Sequence, residues 1–527
     1  MDAKVVLEAL ADHSRSRLLK NLVGGQWRNA KKRAILIDPL GNSVPLLHYP
    51  DTQSAELDPF IAGLASCPKS GLHNPFKAVE RYLMLAQVSF KAAAALEDEA
   101  VARHFAYLIQ KVMPKSFRQC MGEVMVVRQF LKNFGGDQVR FLARGTIDPG
   151  DYAGQQPQHF RWPYGPVVII APFNFPLEIP ALQLMGALYM GNRPLVKSAS
   201  KVSLVIEQFI RLLHLCGLPM TDVDLIHCSG PVMHELLMRT RSIVRMVQFT
   251  GSSSVAEDLA IILHGKIRIE DAGFDWKIVG PDIKAGHLDY VAWQCDQDAY
   301  AASGQKCSAQ SMLFVPEQLV GGADAFFEML AGLAERRKLA DLTVGPVLTW
   351  TTKAMLDHVW QLTAISGATL LFGGRELTGH VIPACYGALA PTAVFVPLDQ
   401  ILSPEYYGLV TTEVFGPVQV VTTYGESELP LVLAACERMT NHLTAAVVSE
   451  DPVFVNAVIG ATVNGTTYAG VKARTTGAPQ NHWFGPCGDP RSAGIGTPEA
   501  VQQTWSATRS VIRDVGPIDI AAALVQS

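Results

Sequence analysis

A chain of 527 residues exceeds what one ordinary hydrophobic core supports, so two or three domains are predicted. Hydrophobic residues reach 49% and charged ones only 17%, against roughly 25% charged in an average soluble domain, which predicts a large packed protein that hides much of its surface. The 44 basic and 48 acidic residues, net −4, offer no broad electrostatic footprint, which excludes nucleic acid and anionic membrane as expected partners.

The N-terminus carries Asp2, Glu8 and Asp12 without an apolar core, so no presequence is visible. After an irregular portion, residues 74–133 read as two helices. The first, Phe76–Val112, has apolar residues at helical spacing until Pro114 interrupts it, and the second stops at Gly135-Gly136. Scattered apolar residues among turn formers over 138–162 predict a β-hairpin arm. Between Trp162 and Asn192, Glu178 is the only charge; that length would span a membrane, but Pro163, Pro166, Pro172, Pro176 and Pro180 would break a continuous helix. A buried strand followed by a buried helix is the better reading.

From Val167 onward, apolar segments at 167–173, 194–198, 223–228 and 242–250 alternate with helical patterns such as Lys201–Cys216, predicting a doubly wound parallel sheet of nucleotide-binding type. The rhythm resumes at 313–317 and continues, with the helical Asp324–Leu339, through 368–374, 392–396, 418–424 and 444–449 as a second α/β domain. The tail after Gln502 reads as a strand that joins the arm. The predicted division assigns 1–137 and 163–269 to the nucleotide-binding domain, 138–162 and 502–527 to the arm, and 270–501 to the second domain.

Nine scattered cysteines without CxxC spacing give no support for disulfides or zinc and point to a reducing compartment; the histidines show neither HExxH nor HxxxH, so no metal is expected. Most cysteines are expected to be inert, buried and small. Cys307, in SGQKCSA, differs because small residues suit an open turn and Lys306 would favour a thiolate if it pointed inward. Asn174 follows the strand VVIIAPF, at the sheet edge where ligands gather and where a side-chain amide can donate to an oxyanion, although a turn-forming role is equally open there. Glu270 also ends a strand. Lys197 in LVKSAS and Gly251-Ser252 in QFTGSSS stand at strand-to-helix turns whose amides can hold phosphate. Glu413 lies beside a Phe-Gly-Pro turn. Each of these residues, taken singly, also fits an ordinary turn or loop.

The ordered set PFNFP, LVKSAS, FTGS, E-x-x-G, GQKCSA and EVFGPV resembles the aldehyde dehydrogenase superfamily over nearly the whole chain. The ending NHWFGPCGDPRSAGIGTPEAV, with VNGTTYAG before it, resembles the plant-type Δ1-pyrroline-5-carboxylate dehydrogenases, which oxidise glutamate γ-semialdehyde to glutamate. The resemblance implies an α/β aldehyde dehydrogenase-like fold with a Rossmann-type NAD-binding domain, a catalytic second domain and a β-hairpin oligomerisation arm. It also implies a homo-oligomer, dimer or tetramer, in the mitochondrial matrix, with a cytoplasmic address left open.

By resemblance, Cys307 is the nucleophile, Asn174 and the Cys307 N–H hold the oxyanion, and Glu270 is the base that hydrolyses the thioester. NAD would lie along Ala171, Pro172 and Phe173, with its diphosphate near Gly251 and Ser252, its nicotinamide ribose at Glu413 and Phe415, and its adenosine ribose at Lys197. Ser200 stands where many relatives carry an acidic residue that repels a 2′-phosphate, so NADP stays open. Ser308, Gly477 and Ala478 would anchor a substrate carboxylate, and Phe175 and Phe484 would sandwich its chain. Three departures stand out: the 37 positions from Glu270 to Cys307, a little more than usual, EDAG in place of ELGG, and Ala256 where many relatives place glycine, which would alter how closely a cofactor approaches. Another small semialdehyde or aliphatic aldehyde is the alternative substrate; a catalytically silent binding protein is the non-enzyme alternative.

Overall fold

The computed structural model describes residues 3–15, 18–271, 273–477, 479–518 and 520. The apolar run becomes the strand Pro166–Ala171, buried at all six residues, and the helix Glu178–Tyr189, buried at all twelve. A strand buried on both faces needs partners on both edges, and it finds them in Arg193–Ser198 and Met246–Gly251, both parallel to it. The full sheet runs Ile267–Asp271, Met246–Gly251, Pro166–Ala171, Arg193–Ser198, Asp224–Leu225, Asn21–Val23 and Gln26–Arg28. The chain starts this parallel part at 166–171, winds outward to 224–225, then returns to the other side at 246–251. The crevice between the strand ends at 171 and 251 is therefore a topological switch point, where open α/β sheets bind ligands. Among the described residues, no helix is long and apolar enough to cross a membrane.

A second seven-stranded sheet runs Thr369–Phe372, Thr392–Phe395, Val418–Tyr424, Gln310–Pro316, Asp275–Val279, Thr444–Val448 and Thr466–Ala469, parallel except at Thr369–Phe372. Its interior strand Asp275–Val279 escaped the sequence reading because Asp275 and Lys277 interrupt the apolar run, yet both are fully buried. Late in the chain, residues 491–493 run back to the first sheet, where Ile269 donates to the Arg491 carbonyl at 2.8 Å and accepts from Ala493 at 2.9 Å. The helix Pro498–Trp505 then packs on Glu178–Tyr189, and Trp505 joins the core of the first sheet.

The predicted α/β class stands, with three differences in detail. The expected helix Phe76–Val112 is two helices, Glu80–Glu97 and Glu99–Val112, because Asp98 turns to extended backbone and its carboxylate accepts from the Ala100 and Val101 N–H groups. The expected hairpin over 138–162 begins instead with a short helix, Gln138–Phe141, whose Val139 is buried. The strand Gln155–Pro163 takes as its main partner Ser506–Asp514, antiparallel over nine residues. The portion expected to be irregular contains a helix, Ala3–Arg15, and a hairpin, Arg33–Ile37 with Pro45–Pro50, besides the two edge strands of the first sheet; elements this short leave no periodicity to read. Residues 519 and 521–527 of the expected arm lie outside the described residues.

Candidate active site

Cys307 lies just before the strand Gln310–Pro316, on a turn that tertiary contacts shape closely. Ala302 and Ser303 hold left-handed backbone (φ 55° and 56°), a conformation that costs non-glycine residues energy and persists only when neighbours hold it. Gln305 supplies much of that hold: its amide donates to the carbonyls of Ala302 and Pro346, and its oxygen accepts from Leu348 N–H at 2.8 Å. Ser303 Oγ accepts from Gly345 N–H at 2.7 Å. Gly304, at φ +70°, passes so close to the Gly416 carbonyl that a Cβ would sit 2.0 Å from its oxygen. Gly273 approaches the Cys307 carbonyl equally closely, with 2.1 Å for the same hypothetical atom. The EVFGPV turn, the Glu270 strand end and the cysteine turn are thus packed backbone to backbone.

Two cavities meet at Cys307. A cleft of about 480 Å³ is lined by Ala171, Pro172, Phe173, Asn174, Gly251, Ser252, Glu270, Glu413 and Phe415. A second cavity of about 650 Å³ is lined by Phe175, Ser308, Gly477 and Phe484, with Glu178, Lys306 and Thr476. Among the described residues, Cys307 alone lines both. The thiol is thereby reachable from two sides by two different molecules.

On the cleft side the carboxyl groups are poorly satisfied. Glu270 is only 2% exposed and, among the described residues, its oxygens face no donor other than the Cys307 thiol; burial pushes its carboxyl up to about 7, opposed by that thiol and assisted by Asp271. Glu413 is pushed up to about 8 by burial; its Oε1 accepts from Gly273 N–H at 3.2 Å, which favours the charged form, while Asp271 opposes it. Asp275 accepts from Thr444 N–H through one oxygen and leaves the other bare, and burial raises it well above the carboxylate range. Burial first, then the charges of Glu270, Asp275 and Glu413, raise the Cys307 thiol well above its ordinary value. The thiol is therefore protonated at rest, with a carboxyl that titrates near neutrality facing it.

Ser252 caps the helix Ser253–Ile262 in extended backbone without a side-chain bond, leaving the first-turn N–H groups directed toward the cleft. Phe173 and Phe415 meet edge to face at 5.7 Å. These features fit a nicotinamide dinucleotide: amide donors for a diphosphate, a carboxyl for ribose hydroxyls and an aromatic wall. Lys197 and Ser200 lie outside the lining of this cleft; burial lowers the Lys197 ammonium. Ala256 is fully buried within the core of the first sheet, so its methyl does not narrow the cleft.

The second cavity has a paired floor. Lys277 Nζ meets Asp298 Oδ2 at 2.7 Å; Asp298 also accepts from Thr475 N–H and Gln294. Lys306, expected to assist the thiolate, instead donates to the carbonyls of Gln297 and Asp298 and to Thr476 Oγ1, so its hydrogen bonds tie the cysteine turn to the Thr476–Gly477 loop. Burial lowers its ammonium to about 8. Ser308 Oγ lies 3.3 Å from Thr476 Oγ1. Ala478 lies outside the described residues. Behind Asn174, buried Lys115 donates to its backbone carbonyl at 3.1 Å and to Glu123 at 2.8 Å, while Glu123 accepts from the N–H groups of Leu177 and Glu178. The Cys307 N–H has no acceptor among the described residues and remains available as a donor.

Sequence reasoning missed Gln305, Asp275, Lys115, Glu123 and the Lys277–Asp298 pair. Only Glu178 carried a visible signal, as the single charge in an apolar run. Among the described residues, no group of histidine, cysteine and carboxylate side chains could hold a metal ion.

The aldehyde dehydrogenase family matches residues 30–503. Delta-1-pyrroline-5-carboxylate dehydrogenase 12A1, mitochondrial, of Arabidopsis thaliana is 59% identical over 501 residues, covering 95% of this chain and 89% of that protein. The 2,5-dioxopentanoate dehydrogenase of Saccharolobus solfataricus is 27% identical, over 71% of this chain and 75% of that one. Betaine aldehyde dehydrogenase of Staphylococcus aureus, solved in complex with NAD+, shares the fold with a TM-score of 0.80 at 18% identity, covering 95% of this chain and 98% of the other. The Cys307 turn between two cavities thus stands on a known framework: the chain belongs to the aldehyde dehydrogenase family.

Proposed function

We propose that the protein oxidises glutamate γ-semialdehyde, the open form of Δ1-pyrroline-5-carboxylate, to glutamate with NAD, as the name of the 59%-identical Arabidopsis relative describes for that protein. The observation that carries the reading is the position of Cys307, shared by a cleft whose lining suits a nicotinamide dinucleotide and by a cavity with small polar groups at Ser308 and Gly477. The cysteine thiol attacks the aldehyde carbon, and its proton passes to the facing Glu270 carboxylate. The oxyanion of the resulting thiohemiacetal is held by the Asn174 amide and the Cys307 N–H. NAD, when bound, supplies the hydride acceptor, with Glu413 holding the ribose near the thiol and the Gly251–Ser252 turn holding the diphosphate. Glu270 releases the thiol proton to solvent once the thioester has formed, then takes a proton from the water that cleaves the thioester and passes it to the departing Cys307 sulfur. Ser308 and Gly477 receive the substrate carboxylate while Phe175 and Phe484 flank the chain.

A homo-oligomer and the mitochondrial matrix of the named relative complete the proposal. Initial rates for glutamate semialdehyde, carboxylate-free aldehydes of equal length and betaine aldehyde, each with NAD and with NADP, test it. A preference for glutamate semialdehyde in kcat/KM is expected; equal values with and without the carboxylate remove the anchor.

A further inference from the structure

Four acidic residues line the cavity on the substrate side, and three are fully engaged. Glu123 accepts from Lys115, Leu177 and Glu178; Asp296 is bound by Arg337; Asp298 is held by Lys277, Gln294 and Thr475. Glu178 is the exception. It is 7% exposed, and its carboxyl has no hydrogen-bond or ion-pair partner among the described residues. Its oxygens are not sealed off as those of Glu270 are, so its remaining exposure opens onto the cavity. Capping does not explain it, because Glu123 already accepts from the first N–H groups of the helix that Glu178 begins. A buried carboxyl with nothing to bind is costly unless a ligand supplies the partner.

We propose that Glu178 binds the α-ammonium group of the substrate, so that the cavity selects an α-amino acid aldehyde over other ω-oxo carboxylates. The inference rests on the glutamate semialdehyde reading and adds a determinant to it. Glu178 opens its helix four residues beyond Asn174, across the turn that follows the strand, and lines the same cavity as Cys307 and Ser308. Burial raises its carboxyl well above the usual range; Glu123 and Glu270 raise it further and Lys115 opposes them. Lys115 is itself neutralised by Glu123, leaving no cation that satisfies Glu178 before the ligand arrives.

Initial rates on glutamate semialdehyde and on 5-oxopentanoate, which keeps the chain and the carboxylate but lacks the amino group, test the proposal in the wild type and Glu178→Gln. Loss of one charge-assisted hydrogen bond predicts a fall of about tenfold or more in kcat/KM for the amino substrate, mostly through KM, with a far smaller change for 5-oxopentanoate. Equal loss on both substrates overturns the role of Glu178 while leaving the glutamate semialdehyde reading intact. Wild-type turnover of 5-oxopentanoate without turnover of glutamate semialdehyde overturns that reading itself. A measurement on the wild type alone guards against a variant that fails to fold: glutamate should inhibit more tightly than glutarate, and equal inhibition overturns the proposal.

Discussion

The two sides of Cys307 are built on opposite electrostatic plans. Glu270 and Glu413 in the cleft lined by Ser252 and Phe415, and Asp275 outside its lining, are buried with bare or weakly bonded oxygens and raised proton affinities. Beneath the other cavity, Lys277–Asp298 and Arg337–Asp296 are buried ion pairs, and Lys306 is satisfied by three oxygen acceptors. Groups that must exchange protons or partners are left under-satisfied, and groups that must keep a shape are fully paired. Pairing Glu270 as thoroughly as Asp298 would fix its charge and remove its capacity to accept and release a proton near neutrality.

Four substitutions would sharpen or break that contrast. Cys307→Ser removes the group common to both sides and should reduce turnover to background, measured as NADH formation from pyrroline-5-carboxylate; substantial remaining activity would move the nucleophile elsewhere. Glu270→Gln should lower kcat by about 10²- to 10⁴-fold. It should also erase the rise in rate through about pH 7, because the raised carboxyl is active only after losing its proton. A steady-state pH profile identical in shape to the wild type would contradict its role as base.

On the paired side, Lys277→Met leaves Asp298 buried without its cation, an imbalance worth about 3–5 kcal/mol of stability. Thermal denaturation should show it, and an unchanged Tm would mean that the pair contributes nothing to the cavity floor. In the protein without ligand, Glu413→Gln should show in how stability depends on pH. There the Glu413 carboxyl is raised from 4.5 to about 8, so the folded state holds a proton that the unfolded state releases. Stability from this group is therefore present near pH 4.5 and declines as pH rises toward 8. Replacing it should flatten that part of the curve, readable from Tm measured across the window.

Much of this site was legible locally. Asn174 and Glu270 follow apolar strand patterns, and Cys307 sits among small residues, so a short window around each carries its signal. The strand-to-helix alternation likewise revealed the parallel strands that place them. What stayed hidden depends on chain segments far apart: Gly304 beneath the Gly416 carbonyl, Lys306 bonding to Thr476, and Lys115 reaching the Asn174 carbonyl. Lys306 shows why. Its neighbour is the proposed nucleophile, yet its hydrogen-bonding direction is set by Gln297, Asp298 and Thr476, none of which proximity in sequence could indicate. The strand at 275–279 was masked by the buried polar residues that underlie the site, and the Asp98 break by a short-range cap within an otherwise continuous helical pattern.

The return of residues 491–493 to the Ile267–Asp271 strand, and of Trp505 to the core formed around 166–189, has a consequence for synthesis. During translation, the early sheet emerges long before the segment that closes its edge and covers its central helix. Its apolar surface therefore stays partly uncovered while more than two hundred further residues are added, and the finished core forms only as the last part of the chain leaves the ribosome. A nascent chain stalled before residue 505 would expose the surface that Trp505 later covers, which makes this stretch of elongation the interval in which a chaperone has most to do.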